Sequence, residues 1–211
     1  MSFLRLLGLG GKGEDPRLVA LKAQEADFLA TLREAETTLA QTELENRMLL
    51  EAARRLKPGM GLQAAGTALL ELIREPLEIA TYFVALVDKE RDLIDYPVFL
   101  EGGRLRRHPI EVYSKNKGIT GLAIDKQEPV YVRALDPEGI ALGAILSRAE
   151  AATGLIPQTW FGVPLSRPDL EGGRPFGLVA FQVFPEDGFS PRRRELLERL
   201  ARLLSLTQGV P

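Results

Sequence analysis

The chain has 211 residues, is 45% hydrophobic and 27% charged, and carries a formal net charge of −2, the profile of a globular protein with one domain plus an appendage, or two small domains. That near-balance excludes a global field drawing it onto nucleic acid or an anionic membrane, so no nucleic-acid partner is expected. Having no cysteine and one histidine, His108, it has no disulfides, thiolate nucleophiles, thiolate metal sites or cysteine-linked chromophores, fits a reducing cytoplasm, and leaves a zinc site or Ser-His-Asp triad only that histidine to build on.

The chain opens on "MSFLRLLGLGGKG". Its apolar part is too short for a spanning helix, which needs roughly 20 apolar residues, so no transmembrane segment is expected. Residues 1–14 read as a flexible tail, with a short membrane-surface or partner-binding peptide as the alternative.

A helix is expected over 15–57, with Asp15 as cap and Pro16 at its first position. Leu18, Leu21, Glu25, Phe28, Leu32, Ala35, Leu39, Thr42, Asn46, Leu49, Ala53 and Leu56 alternate steps of three and four, an a/d heptad seam. At ~1.5 Å per residue such a helix is about 58 Å long, so it is expected to pair with a second copy of itself. Asn46 at an a position suits pairing with its twin in a parallel dimer, while Glu25 at another a position is costly. A single amphipathic helix lying on its own domain is the alternative.

"LKPGMG" (56–61) breaks the helix at Pro58. A second helix follows, "LQAAGTALLELIRE", with Leu62, Ala65, Leu69, Leu72 and Ile73 on one face, stopped by Pro76. "YFVALVD" (82–88) reads as a central strand buried on both faces. "DLIDYPVFL" (92–100) is the next strand, "EGGR" a hairpin turn, and "RLRRH" (104–108) the returning strand. "NKGITGLAIDKQE" (116–128) is a short glycine-entered helix and "PVYVRA" (129–134) a strand. Asp136-Pro137 caps an alanine-rich helix over 137–153. "QTWFGVPLS" and "RPFGLVAFQVF" are the last two strands, and Ser190-Pro191 starts a closing helix with Leu196, Leu197, Leu200, Leu203 and Leu204 as its stripe. Hairpins dominate, so the fold class is α+β with a mainly antiparallel sheet of five to six strands flanked by helices.

Five pieces of this order resemble one family. "YFVALVDKERDLIDYPV", "GITGLAIDKQEPVYV", "TWFGVPL", "FGLVAFQ" and "FSPRRRELLERLARLLS" are similar, in that sequence, to the segments of a GAF domain, the small sensory module of bacterial signalling proteins. The resemblance spans about residues 60–208. It implies a central antiparallel sheet with the first and last helices on one face, often a dimerisation surface, and short helices and loops enclosing a pocket on the other. A coiled coil entering at the N-terminus is a familiar family arrangement.

The resemblance implies a small-molecule pocket lined from Tyr96 and Val98, from the segment His108–Tyr113, from Ile119, Thr120 and Ile124, from Tyr131, from Leu142–Leu146, and from Trp160. These supply apolar walls with a few polar tips; a filled core with no vacancy is the alternative. Within "TWFGVPL", Trp160 offers area and an N–H donor to a pocket wall or core. Gly162 lets another group approach the backbone, and Pro164 gives up one ladder donor.

Other clusters read as structural first. "RLRRH" with Lys115 and Lys117 is a basic patch that fits a solvated hairpin or an acidic partner. The carboxylates of "DKERD" (88–92) fit a charged turn better than a divalent cation, so no metal is expected. The family's free methionine sulfoxide reductase depends on cysteines, and the chain offers neither a nucleophile-base pair nor a metal cluster, so no enzyme is expected. Two functions are carried: a regulatory ligand-binding module that dimerises and signals through its helices, and a dimerisation scaffold with a vestigial pocket. No effector segment follows Ser205, so output is expected to pass to a separate protein in the cytoplasm.

Overall fold

The computed structural model describes residues 16–115, 117–144, 154, 156–167 and 173–208. The tail over 1–14, the Asp15 cap, and the part of the alanine-rich helix over 145–153, with Leu146, lie outside the described residues. The chain divides into two compact units, residues 1–46 and 47–211.

The described part of the first unit is helix. Helix α1 runs Pro16–Arg55, so the unit boundary falls inside it. Every residue from Arg17 to Ala40 is exposed. The seam leucines and Phe28 are bare: Leu18, Leu21, Phe28, Leu32 and Leu39 are 45–68% exposed.

In the second unit, the last turns of α1 behave differently. Met48 and Ala52, with Leu56 just past the helix end, are buried in the domain core, whereas Ala53 is exposed, as is Asn46 at the end of the first unit. Successive helical residues stand about 100° apart, so the stripe through Met48 and Ala52 lies beside the seam through Leu49 and Ala53, rotated by one residue. Leu56 corrects the seam reading. It was expected to face a second copy and instead sits in this chain's own core, because Pro58 ends the helix where the chain must turn into the domain. Leu49 is half-buried against the same core.

Helix α2 spans Leu62–Ile73 and buries Leu62, Ala65, Gly66, Leu69, Leu70 and Ile73, the i, i+3, i+4 face of an amphipathic helix. Strand β1 (Thr81–Asp88) pairs antiparallel with β2 (Leu93–Glu101) on one side. The Gly102-Gly103 turn that follows has φ of 55° and 77°, the positive values a two-residue hairpin loop requires. The returning strand β3 is shorter than expected, only Arg104–Leu105, and β4 is Glu111–Val112. A 3₁₀ turn at Tyr113–Lys115 leads toward α3 (Gly118–Lys126), followed by β5 (Val130–Val132). The next stretch opens as a π turn, Leu135–Gly139, with Asp136 outside helical geometry. Strands β6 (Thr159–Ser166) and β7 (Pro175–Val183) and helix α4 (Pro191–Leu206) complete the fold. Ser190 caps α4, its hydroxyl accepting from the Arg193 N–H at 3.3 Å, with Pro191 in the first turn.

Among the described residues, seven strands form one antiparallel sheet, ordered β3-β2-β1-β7-β6-β5, with β4 pairing β2. One face packs under α2, α4 and the end of α1, around Tyr82, Val84, Val98, Leu100, Phe161, Val179 and Phe181. There Tyr82 donates to the Gly66 carbonyl at 3.0 Å. The opposite face holds a second core built with α3.

Candidate functional site

The face under α3 is assembled strand by strand. Its floor is small: Ala85 on β1 and Ala180 on β7, both fully buried. Phe83 and Phe99 rise on the β1–β2 side, and Trp160 on the β6 side, 1% exposed. Ile119, Ala123 and Ile124 of α3 cover part of the floor. A side chain added at Gly162 would overlap the six-membered ring of Trp160. The indole therefore lies along its own strand, over the bare backbone two residues on. That is why a large ring and a glycine stand so close together in "TWFGVPL".

Gln182 belongs to the same face by the alternation of β7, with Thr81 and Trp160 opposite it in register. Its Oε1 is buried and has no hydrogen-bond partner among the described residues. A buried acceptor left unpaired costs about 1–3 kcal/mol of desolvation.

Charged side chains tie the rim. Asp125 of α3 accepts from Lys89 at 3.0 Å and from Lys117 at 2.9 Å. The Lys117 bond, with Lys89 adding to it, holds its carboxyl below the usual carboxylate range. Tyr113 reaches the same carboxylate at 3.5 Å, and burial foremost, with that negative charge, pushes its hydroxyl up to about 12. Asp92 accepts from the Ser114 hydroxyl at 2.6 Å and its backbone N–H at 2.8 Å, which lowers its pKa and staples the β1–β2 turn to the 3₁₀ turn. Asp88 accepts from the Glu90 and Arg91 backbones. Asp88 and Asp92 of the "DKERD" turn thus bond to the protein itself.

On the β2 side stands a group of rings. Tyr96 and Phe99 meet at 87° with centroids 5.9 Å apart, and Phe83 backs both at 5.7 and 5.8 Å. The His108 ring sits in the angle, 4.5 Å from Tyr96 and 4.7 Å from Phe99. Burial, then the nearby Glu111 carboxylate, raises the Tyr96 hydroxyl pKa.

A sheet with helices α2 and α4 on one face and a small-floored core under α3 on the other matches one family model, the GAF domain, over residues 59–207. The chain belongs to the GAF domain family. Solved structures with the same fold include the A. aeolicus nlh2 GAF domain in an inactive state, at 15% identity and TM-score 0.59, covering 79% of this chain and 96% of that one. The GAF domain of an Acinetobacter phosphoenolpyruvate-protein phosphotransferase is similar at 16% identity and TM-score 0.57, covering 79% and 90%. The free methionine-R-sulfoxide reductase of Neisseria meningitidis, solved with its substrate, is similar at 18% identity and TM-score 0.60, covering 78% and 88%. Comparison with curated proteins finds no match.

The reductase corrects one expectation. The chain was expected not to be an enzyme, yet this GAF fold carries an enzyme in at least one structural neighbour. Fold is therefore no ground for excluding catalysis, and at this identity it assigns none either. Among the described residues no helix is long and apolar enough to cross a membrane.

Of the residues expected to line the GAF pocket, Tyr96, Tyr113, Ile119, Ile124 and Trp160 belong to the core under α3, with His108 against its aromatic edge. Thr120 is buried in α3. Val98 and Tyr131 are corrections. Between Val84 and Leu86 of β1 the partner strand advances from Val98 to Asp95, one residue too many. That bulge, at Tyr96-Pro97, puts Tyr96 and Phe99 on one face and Val98 on the other, against α2. Tyr131 pairs with Phe161 rather than Trp160, so it faces α4. Its hydroxyl donates to Asp187 at 2.7 Å, and the Arg194 guanidinium lies 4.2 Å from its ring centre. Leu142 is 43% exposed and stands outside the buried cluster.

Phe83, Phe99, Asp125 and Gln182 were not singled out from sequence. Pro97 was the available signal for Phe99: a proline inside a paired strand marks a bulge or an edge.

Proposed function

We propose that this GAF domain is a regulatory module that binds a small molecule on the sheet face under α3, dimerises through α1, and passes the change in ligation to a separate partner protein. The observation that carries the ligand reading is Gln182: a buried oxygen with no partner among the described residues, beside Trp160, on the face away from α2 and α4. A ligand that donates a hydrogen there recovers the desolvation the empty acceptor costs. Coupling to the helices requires different ligand affinity in two arrangements of them.

The exposed α1 seam supports dimerisation. A row of apolar side chains 45–68% exposed on one face is not expected of a lone helix in water. Because the domain-facing stripe uses Met48 and Ala52, the seam beside it is left for a second copy. Light scattering is expected to give a dimer. Leu32→Glu with Leu39→Glu is expected to give a monomer whose domain melts within ~2 °C of the parent at matched protein concentration, as these two side chains are outside the domain core. A monomeric parent chain refutes the dimer.

For the ligand, thermal shift against metabolite and nucleotide panels is expected to find a compound that stabilises the parent and not Gln182→Leu. The second reading, a dimerisation scaffold with a filled core, is favoured by how completely Trp160, Ile124 and Leu178 are buried. It is supported if the panel stabilises neither protein while the dimer persists.

A further inference from the structure

The ring group on β2 has a feature that packing alone does not require. Tyr96 and Phe99 form two walls at nearly a right angle, with Phe83 behind them. The bulge at Tyr96-Pro97 brings both rings to the same face. The corner is filled by a side chain from the connecting segment between β3 and β4. Arg106 is held to the sheet, its N–H donating to the Phe99 carbonyl at 2.8 Å and its guanidinium 3.6 Å from Glu101. Beyond it, Arg107, Pro109 and Ile110 are exposed, and of residues 107–110 only His108 is partly buried. One imidazole thus anchors an otherwise exposed segment.

The chemistry of the corner is that of a cation site. Cations bind aromatic faces within about 6 Å of the ring centre, and cages of two or three rings take organic cations. The imidazole of His108 lies at that range from two rings. Glu111 of β4 acts electrostatically on the Tyr96 hydroxyl.

We propose that Tyr96 and Phe99, backed by Phe83, form a two-walled cage for a small organic cation, and that His108 is its removable plug. In the unliganded chain the imidazole fills the corner and holds residues 107–110 down. A quaternary ammonium group displaces the ring and frees that segment. The proposal rests on reading this sheet face as the ligand face and gives one part of it a ligand class.

Choline is the probe, with 3,3-dimethylbutan-1-ol as its uncharged isostere. His108 is the only histidine, so its ring protons give unique NMR signals. On the full-length parent protein, saturating choline is expected to move them toward the positions of a free imidazole, as the ring leaves the shielding of Tyr96 and Phe99. In titration calorimetry, His108→Ala is expected to bind choline about tenfold more tightly than the parent, because the plug no longer competes, and the alcohol about tenfold more weakly than choline. Adding Tyr96→Leu and Phe99→Leu is expected to abolish choline binding. Unmoved histidine signals at saturating choline overturn the proposal even if His108→Ala does not fold. Equal affinity for the alcohol, or binding that survives loss of both rings, overturns it as well. If choline fails while a panel compound binds and is lost in Gln182→Leu, the cage is wrong and the ligand face stands; if neither binds, both are wrong.

Discussion

Replacing Gly162 by alanine tests the account of "TWFGVPL" directly. In an ordinary strand this change removes freedom from the unfolded chain and stabilises by about 0.4–1 kcal/mol. Here the new methyl overlaps the six-membered ring of Trp160, which is 1% exposed and has little room to retreat. Overpacking of that kind costs typically 1–3 kcal/mol, so a net loss of about 1–2 kcal/mol is expected. With a urea m-value of roughly 2 kcal/mol per molar, the midpoint falls by about 0.5–1 M. Trp160 is the only tryptophan, so its fluorescence follows the same unfolding and reports the displaced ring as a shifted native emission. The decisive arm is the double-mutant cycle. In a Trp160→Leu background the methyl has no ring to meet, and Gly162→Ala is expected to be neutral or stabilising, a coupling of at least about 1 kcal/mol. If Gly162→Ala is as stable as the parent, or costs the same in both backgrounds, the ring-over-glycine explanation is wrong.

Two further outcomes follow from hydrogen bonds and charge. Tyr82→Phe removes the buried bond to the Gly66 carbonyl, an oxygen inside α2 that keeps its helical partner, so a loss of about 1 kcal/mol is expected by urea unfolding; an unchanged midpoint contradicts it. Asp125 has a lowered pKa in the folded chain, against an ordinary value of 3.8. Its contribution is therefore complete above about pH 4–5 and is lost as pH falls through the folded value. The stability difference between the parent and Asp125→Asn, measured by urea unfolding, is expected to be flat from pH 5 to 7 and to shrink below pH 4; a difference that grows on acidification refutes the assigned partners.

Most of the element order was legible from local pattern. The alternating steps of α1, the apolar run of β1, Gly102-Gly103 and the Ser190-Pro191 cap each state their structure within a few residues. The resemblance, not alternation, was the ground for grouping Tyr96 with Trp160. What failed were face assignments, two of them carried over from the resemblance. Val98 was placed in the pocket with Tyr96, and one bulge turned it to the other face. Tyr131 was placed there too, and the β5–β6 register set it against Phe161. Leu56 was placed in the coil seam, and the turn at Pro58 drew it into the domain.

The residues alone therefore determined the type and order of the long helices and strands and which of their side chains must avoid water, but not the extent of the short pieces, where β3 shrank to Arg104–Leu105 and β4 was not foreseen. Only the tertiary structure decided which face each of them serves. The physical reason is that alternation along a strand is local, while its phase is set by pairing with a distant strand. A single inserted residue at Tyr96-Pro97 costs little in sequence and moves every side chain after it to the other side of the sheet. Helix α1 shows the same limit: its periodicity announces an apolar face, but not that neighbouring residues of one turn, Ala52 and Ala53, would be divided between this chain's core and open water.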